Sequence, residues 1–82
     1  MIDSKTGRKI NVFIDPKYGP YIRVSVYEDA GALEDLFDEQ YFVLYWKSTP
    51  AELIDDGGNE YYFGSAADPI KLQAILDSIV FE

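Results

Sequence analysis

Residues 21–28 read YIRVSVYE, and this stretch decides the fold because its apolar and polar positions alternate. Ile22, Val24 and Val26 fall on one side of an extended chain, since successive side chains of a strand point to opposite faces. The other side carries polar residues and tyrosines. The stretch therefore predicts a strand with one face against a core.

The segment before this strand predicts a hairpin, a second strand and a turn. Gly7 readily adopts a positive φ, so residues 5–7 are predicted to form the tip of a first hairpin. Alternation over residues 10–15 predicts a half-buried strand. Two prolines and a glycine within residues 15–20 then predict a turn that leads into the central strand.

Two later segments have helical spacing. The apolar positions are Leu33, Leu36 and Phe37 in the first segment and Leu72, Ile75, Leu76 and Ile79 in the second. The first helix is predicted to end near Gln40, with Asp29 as its candidate cap. The second begins with Asp68 at the N-cap and Pro69 at the first helical position, a strong start signal.

Two aromatic segments predict further strands. Residues 41–47, YFVLYWK, are aromatic or apolar on both sides of the chain, which favours a central strand with Trp46 in the core. Residues 60–63 predict another strand, closed by Gly64.

The segment between these strands has two interpretations. Residues 49–52 have the spacing of a capping box with proline at the first helical position, which favours one or two helical turns through Asp56. A short strand over residues 52–55, followed by a hairpin turn, is the alternative.

These elements predict a single α+β domain over residues 1–82. Short connections between strands favour a mainly antiparallel sheet of four or five strands. Both helices have an apolar side to bury, so we expect two helices packed on one face and an uncovered opposite face.

The composition restricts the chemistry of the chain. It contains no cysteine and no histidine, which excludes disulfides, thiol nucleophiles and cysteine-based zinc sites. Without histidine, the chain lacks the one side chain whose unperturbed pKa lies near neutral pH. We expect no enzyme activity, no cofactor and no metal. The start of the chain has no apolar run of a signal peptide, and no stretch is long enough to span a membrane, so a cytoplasmic protein is expected.

Charge is distributed unevenly along the chain, whose net charge is −8. Residues 1–23 contain five basic and two acidic residues, whereas residues 24–82 contain thirteen acidic and two basic ones. Such a negative field attracts basic partners and repels nucleic acid and anionic membranes. Lys5, Arg8 and Lys9, near the predicted hairpin tip, are expected to serve solubility or to pair with this chain's own acids across a dimer.

Two sets of residues are predicted to contact a partner. The acidic set is Glu28, Asp29, Glu34, Asp35, Asp38, Glu39, Asp55 and Asp56, and the anchor set is Tyr27, Tyr41, Tyr45 and Tyr61. Like charges four apart on a helix cost a few tenths of a kcal/mol each. Tyrosines supply large, rigid contact area at interfaces. Residues 55–60, DDGGNE, lack the register of a calcium loop and predict a turn.

These features predict a small acidic protein-binding inhibitor. The expected partner is a basic, nucleic-acid-binding protein whose phosphate-binding surface the acids would occupy, as in DNA mimics and phage antagonists of host restriction or CRISPR defence. An immunity protein or antitoxin that neutralises a toxin is the main alternative. A homodimeric structural subunit, acidic only for solubility, is the third.

Overall fold

The computed structural model describes residues 1–79, and its central strand is the one that the alternating stretch predicts, except that Tyr27 and Glu28 begin a helix instead of ending the strand. This strand is β2, Gly19–Val26. Ile22 and Val24 are fully buried on one face, whereas Arg23 between them is exposed. The alternation of the sequence thus becomes the two faces of a pleated strand.

Three further strands complete an antiparallel sheet. They are β1 (Phe13–Asp15), β3 (Trp46–Ser48) and β4 (Gly57–Tyr62), in the spatial order β1-β2-β4-β3. Every pair in this sheet is antiparallel, which confirms the predicted α+β fold with a four-stranded sheet. Strands β1 and β3 are its edges, and β4 lies next to β2 although two helices and a strand separate them in the chain.

The first helix, α1, covers Tyr27–Glu39 and begins directly after β2. Leu33 and Phe37 are buried in one cluster with the inward residues of β2, so α1 packs on that face of the sheet. The predicted end near Gln40 is confirmed. The predicted cap is wrong, because Asp29 lies inside the first turn and Val26 occupies the cap position without a side-chain hydrogen bond.

The ambiguous segment is helical. A 3₁₀ helix covers Ala51–Asp56 and ends at Gly57, whose φ of 76° is left-handed. The predicted capping box does not form, because Pro50 is the N-cap residue and the Thr49 hydroxyl instead lies 2.6 Å from the Asn59 amide oxygen. The helical interpretation is therefore confirmed, and its proposed cap is wrong.

The second helix, α2, covers Pro69–Ser78 and is capped as predicted. The Asp68 carboxylate accepts the backbone N–H of Ile70 at 2.9 Å. On the inner side of α2, Gln73 donates to the carbonyl of Ile10 and accepts the N–H of Val12. These hydrogen bonds join α2 to the segment before β1, and a shared sheet face for both helices stays a prediction.

The prediction of a central strand over residues 41–47 is wrong. Only Trp46–Ser48 pairs with a neighbour, and it does so at the sheet edge. The preceding residues return to α1: the N–H of Tyr41 donates to Leu36 and the N–H of Val43 to Phe37, each at 2.9 Å. These bonds hold the segment beside the helix, which prevents it from entering the sheet.

The first hairpin is present in reduced form. A single antiparallel bridge joins Ile2 to Lys9, and Gly7 has a φ of 70°. Asp3 is buried beneath this hairpin, where its carboxylate accepts three backbone N–H groups. One of them belongs to Ser25 of β2, so the hairpin is fastened to the central strand.

Candidate interaction surfaces

Helix α1 presents a line of acidic side chains to solvent. Glu28, Asp35 and Glu39 are exposed, and their i, i+7, i+11 spacing places them in one row about 16 Å long. We call these three residues the acidic row. Asp38 is exposed on its flank. The helix contains no basic residue, so like charges repel one another along this surface.

Glu34 belongs to the interior side of the same helix. Its carboxylate accepts the hydroxyl of Tyr61 at 2.7 Å and the ammonium of Lys47 at 3.1 Å. Burial alone would raise the pKa of Glu34, but these hydrogen bonds outweigh burial and hold it below its usual value. The charge of Glu34 is therefore engaged within the chain and is not offered to a partner.

Asp29 also has an internal role. It is buried, and its two oxygens accept the N–H and the hydroxyl of Ser4 at 2.8 and 2.7 Å. The hairpin tip is thereby fixed to the first turn of α1. We accordingly leave Asp29 out of the candidate surface.

Asp55 and Asp56 are exposed at the end of the 3₁₀ helix. Asp56 forms an ion pair with Lys5, so the basic hairpin tip pairs with an acid of the same chain. The predicted turn over residues 55–60 is instead a helix end that continues into β4. Within residues 1–79, no group of three or more acidic side chains is arranged to hold a metal ion.

The four predicted tyrosine anchors differ in exposure. Tyr27 is 72% exposed at the start of α1, but Tyr61 is fully buried against α1. Tyr41 and Tyr45 are half-buried, with their hydroxyls 3.2 Å from Ser78 and 3.5 Å from Glu34. Only Tyr27 thus offers its ring to a partner as the structure stands.

An aromatic row crosses the sheet face opposite α1. It consists of Phe13, Tyr21, Tyr62 and Trp46, one residue from each strand in paired positions. Neighbouring ring centroids are 5.7, 5.2 and 4.4 Å apart along the row. The predicted burial of Trp46 is wrong, since its side chain is 47% exposed on this face.

The rings of this row stack mainly on one another. The Trp46 and Tyr62 planes are 10° apart and the Tyr62 and Tyr21 planes 21° apart. The Tyr62 ring thus has both faces covered, whereas a base-stacking platform needs open faces. Burial, followed by the nearby Glu60 carboxylate, raises the pKa of Tyr62 to about 12. The row therefore presents ring edges, and the Tyr62 hydroxyl among them stays neutral.

A charged group borders the aromatic row. Arg23 forms ion pairs with Glu60, at 3.4 Å, and with Glu52 of the 3₁₀ helix. This basic side chain, on the open face, is thus neutralised by the chain's own acids. Charges on this face are thus paired, whereas the acidic row of α1 has no basic residue on its own helix.

Sequence reasoning missed two exposed apolar residues after α1. Phe42 is 77% and Leu44 is 89% exposed, in the segment for which the sequence predicts a central strand. Alternation is present there, because Tyr41, Val43 and Tyr45 are partly buried. With apolar residues at every position, the sequence does not indicate which set faces inward.

Comparison with known proteins gives no relative: no family model, no curated protein and no solved structure matches this chain. Among the helices of residues 1–79, none combines the length and apolarity needed to cross a membrane.

Proposed function

We propose that this chain is a small acidic inhibitor that binds a basic, nucleic-acid-binding protein and occupies its phosphate-binding surface. The acidic row on α1 is the observation that carries the proposal. Its three carboxylates are exposed along one side of a helix with no basic residue. Phosphate contacts dominate the affinity of nucleic-acid-binding proteins, so a row of fixed negative charge competes for the same basic side chains.

The distribution of ion pairs supports this assignment. Lys5, Lys9, Arg23 and Lys47 each pair with an acid outside the acidic row. Within residues 1–79, none of the row's carboxylates forms an ion pair. A helix face that served only solubility would gain from interleaved lysines, which relieve like-charge repulsion. The unrelieved charge favours a partner that supplies the opposite charge.

Two biological versions of this proposal use the same surface. In one, the chain is a phage-type antagonist of a host nuclease or defence complex. In the other, it is an immunity protein or antitoxin directed at a basic toxin. In the first version, nucleic acid and the inhibitor compete for the same surface of the partner, so added DNA displaces the inhibitor. In the second version, the toxin binds the inhibitor without such competition, and salt alone releases it.

The first experiment retains proteins from a bacterial lysate on the immobilised chain and elutes them with a salt gradient. We expect a basic nucleic-acid-binding protein that elutes only at high salt, since contacts between exposed charges are screened. Displacement by added DNA supports the DNA-mimic version, and salt release without displacement supports the immunity version. Failure to retain any basic protein would refute the proposal.

A charge variant then tests the helix surface. The variant Asp35→Asn, Asp38→Asn and Glu39→Gln spares Glu34, whose contacts are internal. Removing like charges four apart is expected to leave the fold intact or slightly more stable. Affinity for the retained protein is expected to fall about tenfold or more, with a smaller salt dependence, because fewer counter-charges are engaged.

The matched control removes the same charge elsewhere, by Asp15→Asn, Glu52→Gln and Asp77→Asn, three acids outside the predicted partner-contacting set. Two of these acids form exposed ion pairs, which contribute only ~0–1 kcal/mol each. We expect a much smaller loss of affinity than for the α1 variant. Equal losses would show that net charge alone matters and would contradict the role of the acidic row.

The aromatic row favours a homodimer as a second candidate. Helix α1 packs on the opposite face, the 3₁₀ helix borders this one through the Glu52–Arg23 ion pair, and Phe13 and Trp46 remain about half exposed. A second copy would cover the row, although a net charge of −8 opposes self-association. Sedimentation at low and high salt tests this candidate. A monomer at all concentrations contradicts it, and a dimer that Trp46→Ser dissociates supports it.

A further inference from the structure

We infer that Phe42 and Leu44 are the apolar anchor of the acidic surface, and that they enter an apolar pocket bordered by basic residues on the nucleic-acid-binding partner. The inference rests on the proposed function and adds the residues that determine how long the complex lasts. It begins with exposure: Phe42 is 77% and Leu44 is 89% exposed, while the residues that alternate with them are half-buried.

The position of the segment joins these residues to the acids. Backbone hydrogen bonds from Tyr41 and Val43 to the last turn of α1 hold Phe42 between them beside that turn. Further along, the rings of Tyr45 and Phe37 are 5.7 Å apart. Tyr45, the neighbour of Leu44 in the chain, therefore lies against the last turns of α1, which carry Asp38 and Glu39.

The electrostatic environment of Tyr45 also places this segment near the acids of α1. Burial raises the pKa of the Tyr45 hydroxyl to about 12, and the nearby carboxylates of Glu34 and Asp38 add to the effect. Tyr45 is next to Leu44 in the chain, so the exposed charge of Asp38 lies close to the segment that carries the apolar pair. An apolar centre with a charged rim is the usual arrangement of a protein interface.

The backbone of Phe42 is strained. Its φ is 53°, and it is the one residue other than glycine with positive φ within residues 1–79. A bulky side chain is disfavoured in this region, whereas glycine adopts it freely. Folding alone would favour glycine here, because the Phe42 ring gains little burial. Strain of this kind is characteristic of functional sites.

Charge and anchors contribute differently to binding. Complementary charge mainly raises the association rate, whereas a few buried aromatic or aliphatic residues determine most of the affinity. The acidic row by itself therefore explains attraction better than retention. Phe42 and Leu44 supply the missing element, and the acids around them select a pocket with a basic border.

The test uses the retained basic protein, after purification, as the binding probe. The variant Phe42→Ser with Leu44→Ser is compared with Ile54→Ser with Ile70→Ser, two apolar residues exposed elsewhere. We expect the first pair to weaken binding about 30-fold or more, through faster dissociation and with an unchanged salt dependence. The control pair is expected to stay within about twofold.

The outcomes separate this inference from the proposed function. Loss of binding in the charge variant, with the Phe42/Leu44 variant within about twofold of the wild type, overturns the inference and leaves the inhibitor proposal standing. Absence of any basic partner overturns both. Equal weakening by the control pair also overturns the inference, because it would show a general effect of exposed apolar residues.

A second variant separates binding from folding. Phe42→Gly relieves the left-handed backbone at little loss of buried surface, so we expect its Tm to rise by roughly 2–5 °C. Its affinity for the same probe is expected to fall with that of the serine variant. A lower Tm would show that Phe42 is held in place for stability and would overturn the inference.

Discussion

Asp3→Asn tests how the amino-terminal hairpin is fastened to the sheet. Asp3 is buried, and its Oδ1 accepts the N–H of Lys5 at 2.9 Å and that of Thr6 at 3.1 Å. Its Oδ2 accepts the N–H of Ser25 at 3.0 Å. Asparagine keeps one oxygen and replaces the other by an NH₂ group, so at least one buried N–H faces a donor instead of an acceptor.

The expected cost follows from these contacts. An unsatisfied buried donor costs ~1–3 kcal/mol, and hydrogen bonds to a charged acceptor lie toward the upper part of that range. The total stability of a small domain is only ~5–15 kcal/mol. We therefore expect Asp3→Asn to lower the free energy of unfolding by about 2 kcal/mol at neutral pH, and the Tm by roughly 10 °C.

The effect should depend on pH with a definite sign. Burial alone would raise the pKa of Asp3, but hydrogen bonds from Ser25, Thr6 and Lys5 outweigh burial and lower it. A carboxyl whose pKa is lower in the folded state stabilises the fold above its unfolded pKa, and this contribution is lost as pH falls through the folded value. The difference in free energy of unfolding between the wild type and Asp3→Asn should therefore have its full size at pH 7 and should shrink below about pH 4.

Urea unfolding at pH 7 and pH 3 measures both quantities. Asp55→Asn is the matched control, since it makes the same chemical change at an exposed position and should move the midpoint very little. An unchanged midpoint for Asp3→Asn at pH 7 would refute the reasoning. A difference from the wild type that is as large at pH 3 as at pH 7 would contradict the role of the carboxylate charge.

Two other stability predictions concern α2 and β4. Asp68→Ala removes the hydrogen bond to Ile70 and should cost ~1 kcal/mol in urea unfolding, whereas an unchanged midpoint would contradict the cap. Gly58→Ala should cost ~1–3 kcal/mol or more, because a Cβ at Gly58 would lie 2.5 Å from the carbonyl oxygen of Ser25. In the control variant, Gly31→Ala, the added methyl group meets open space within α1 and should raise the free energy of unfolding by ~0.5–1 kcal/mol. A lower free energy of unfolding would contradict the position of Gly31 in the interior of the helix.

Local patterns were enough to predict β2 and α2. The alternation around Ile22 and Val24 has a single possible phase, since polar residues occupy the other positions. In α2, the Asp68-Pro69 start and the spacing of Leu72 and Leu76 agree with each other. Where pattern and cap signals agree within one segment, sequence alone determines the element.

The same method failed where every position is apolar. Tyr61 and Tyr62 are neighbours, yet Tyr61 is fully buried against α1 and Tyr62 belongs to the open face. Period-two reasoning fixes a face only when the two phases differ in polarity. Residues 41–47 have the same ambiguity, and their path is set by backbone hydrogen bonds to α1 that no local pattern encodes.

The acidic site was predictable in part. The sequence identified the charge of α1, and Asp35, Asp38 and Glu39 are exposed there. It did not identify Asp29 as internal, because the partner of Asp29 is Ser4, 25 residues away in the chain. Exposure of an acid depends on such long-range contacts, whereas its position on a helix depends on local spacing.

The stacking of the aromatic row gives the chain an internal optical reporter. The protein contains one tryptophan, Trp46, and it lies on an edge strand with its ring centroid 4.4 Å from that of Tyr62. Light absorbed by the neighbouring tyrosines is transferred to the indole at such distances, and parallel rings couple in the near-ultraviolet circular dichroism spectrum. Indole emission therefore reports the docking of β3 onto β4, so detachment of this edge is visible in the unlabelled protein.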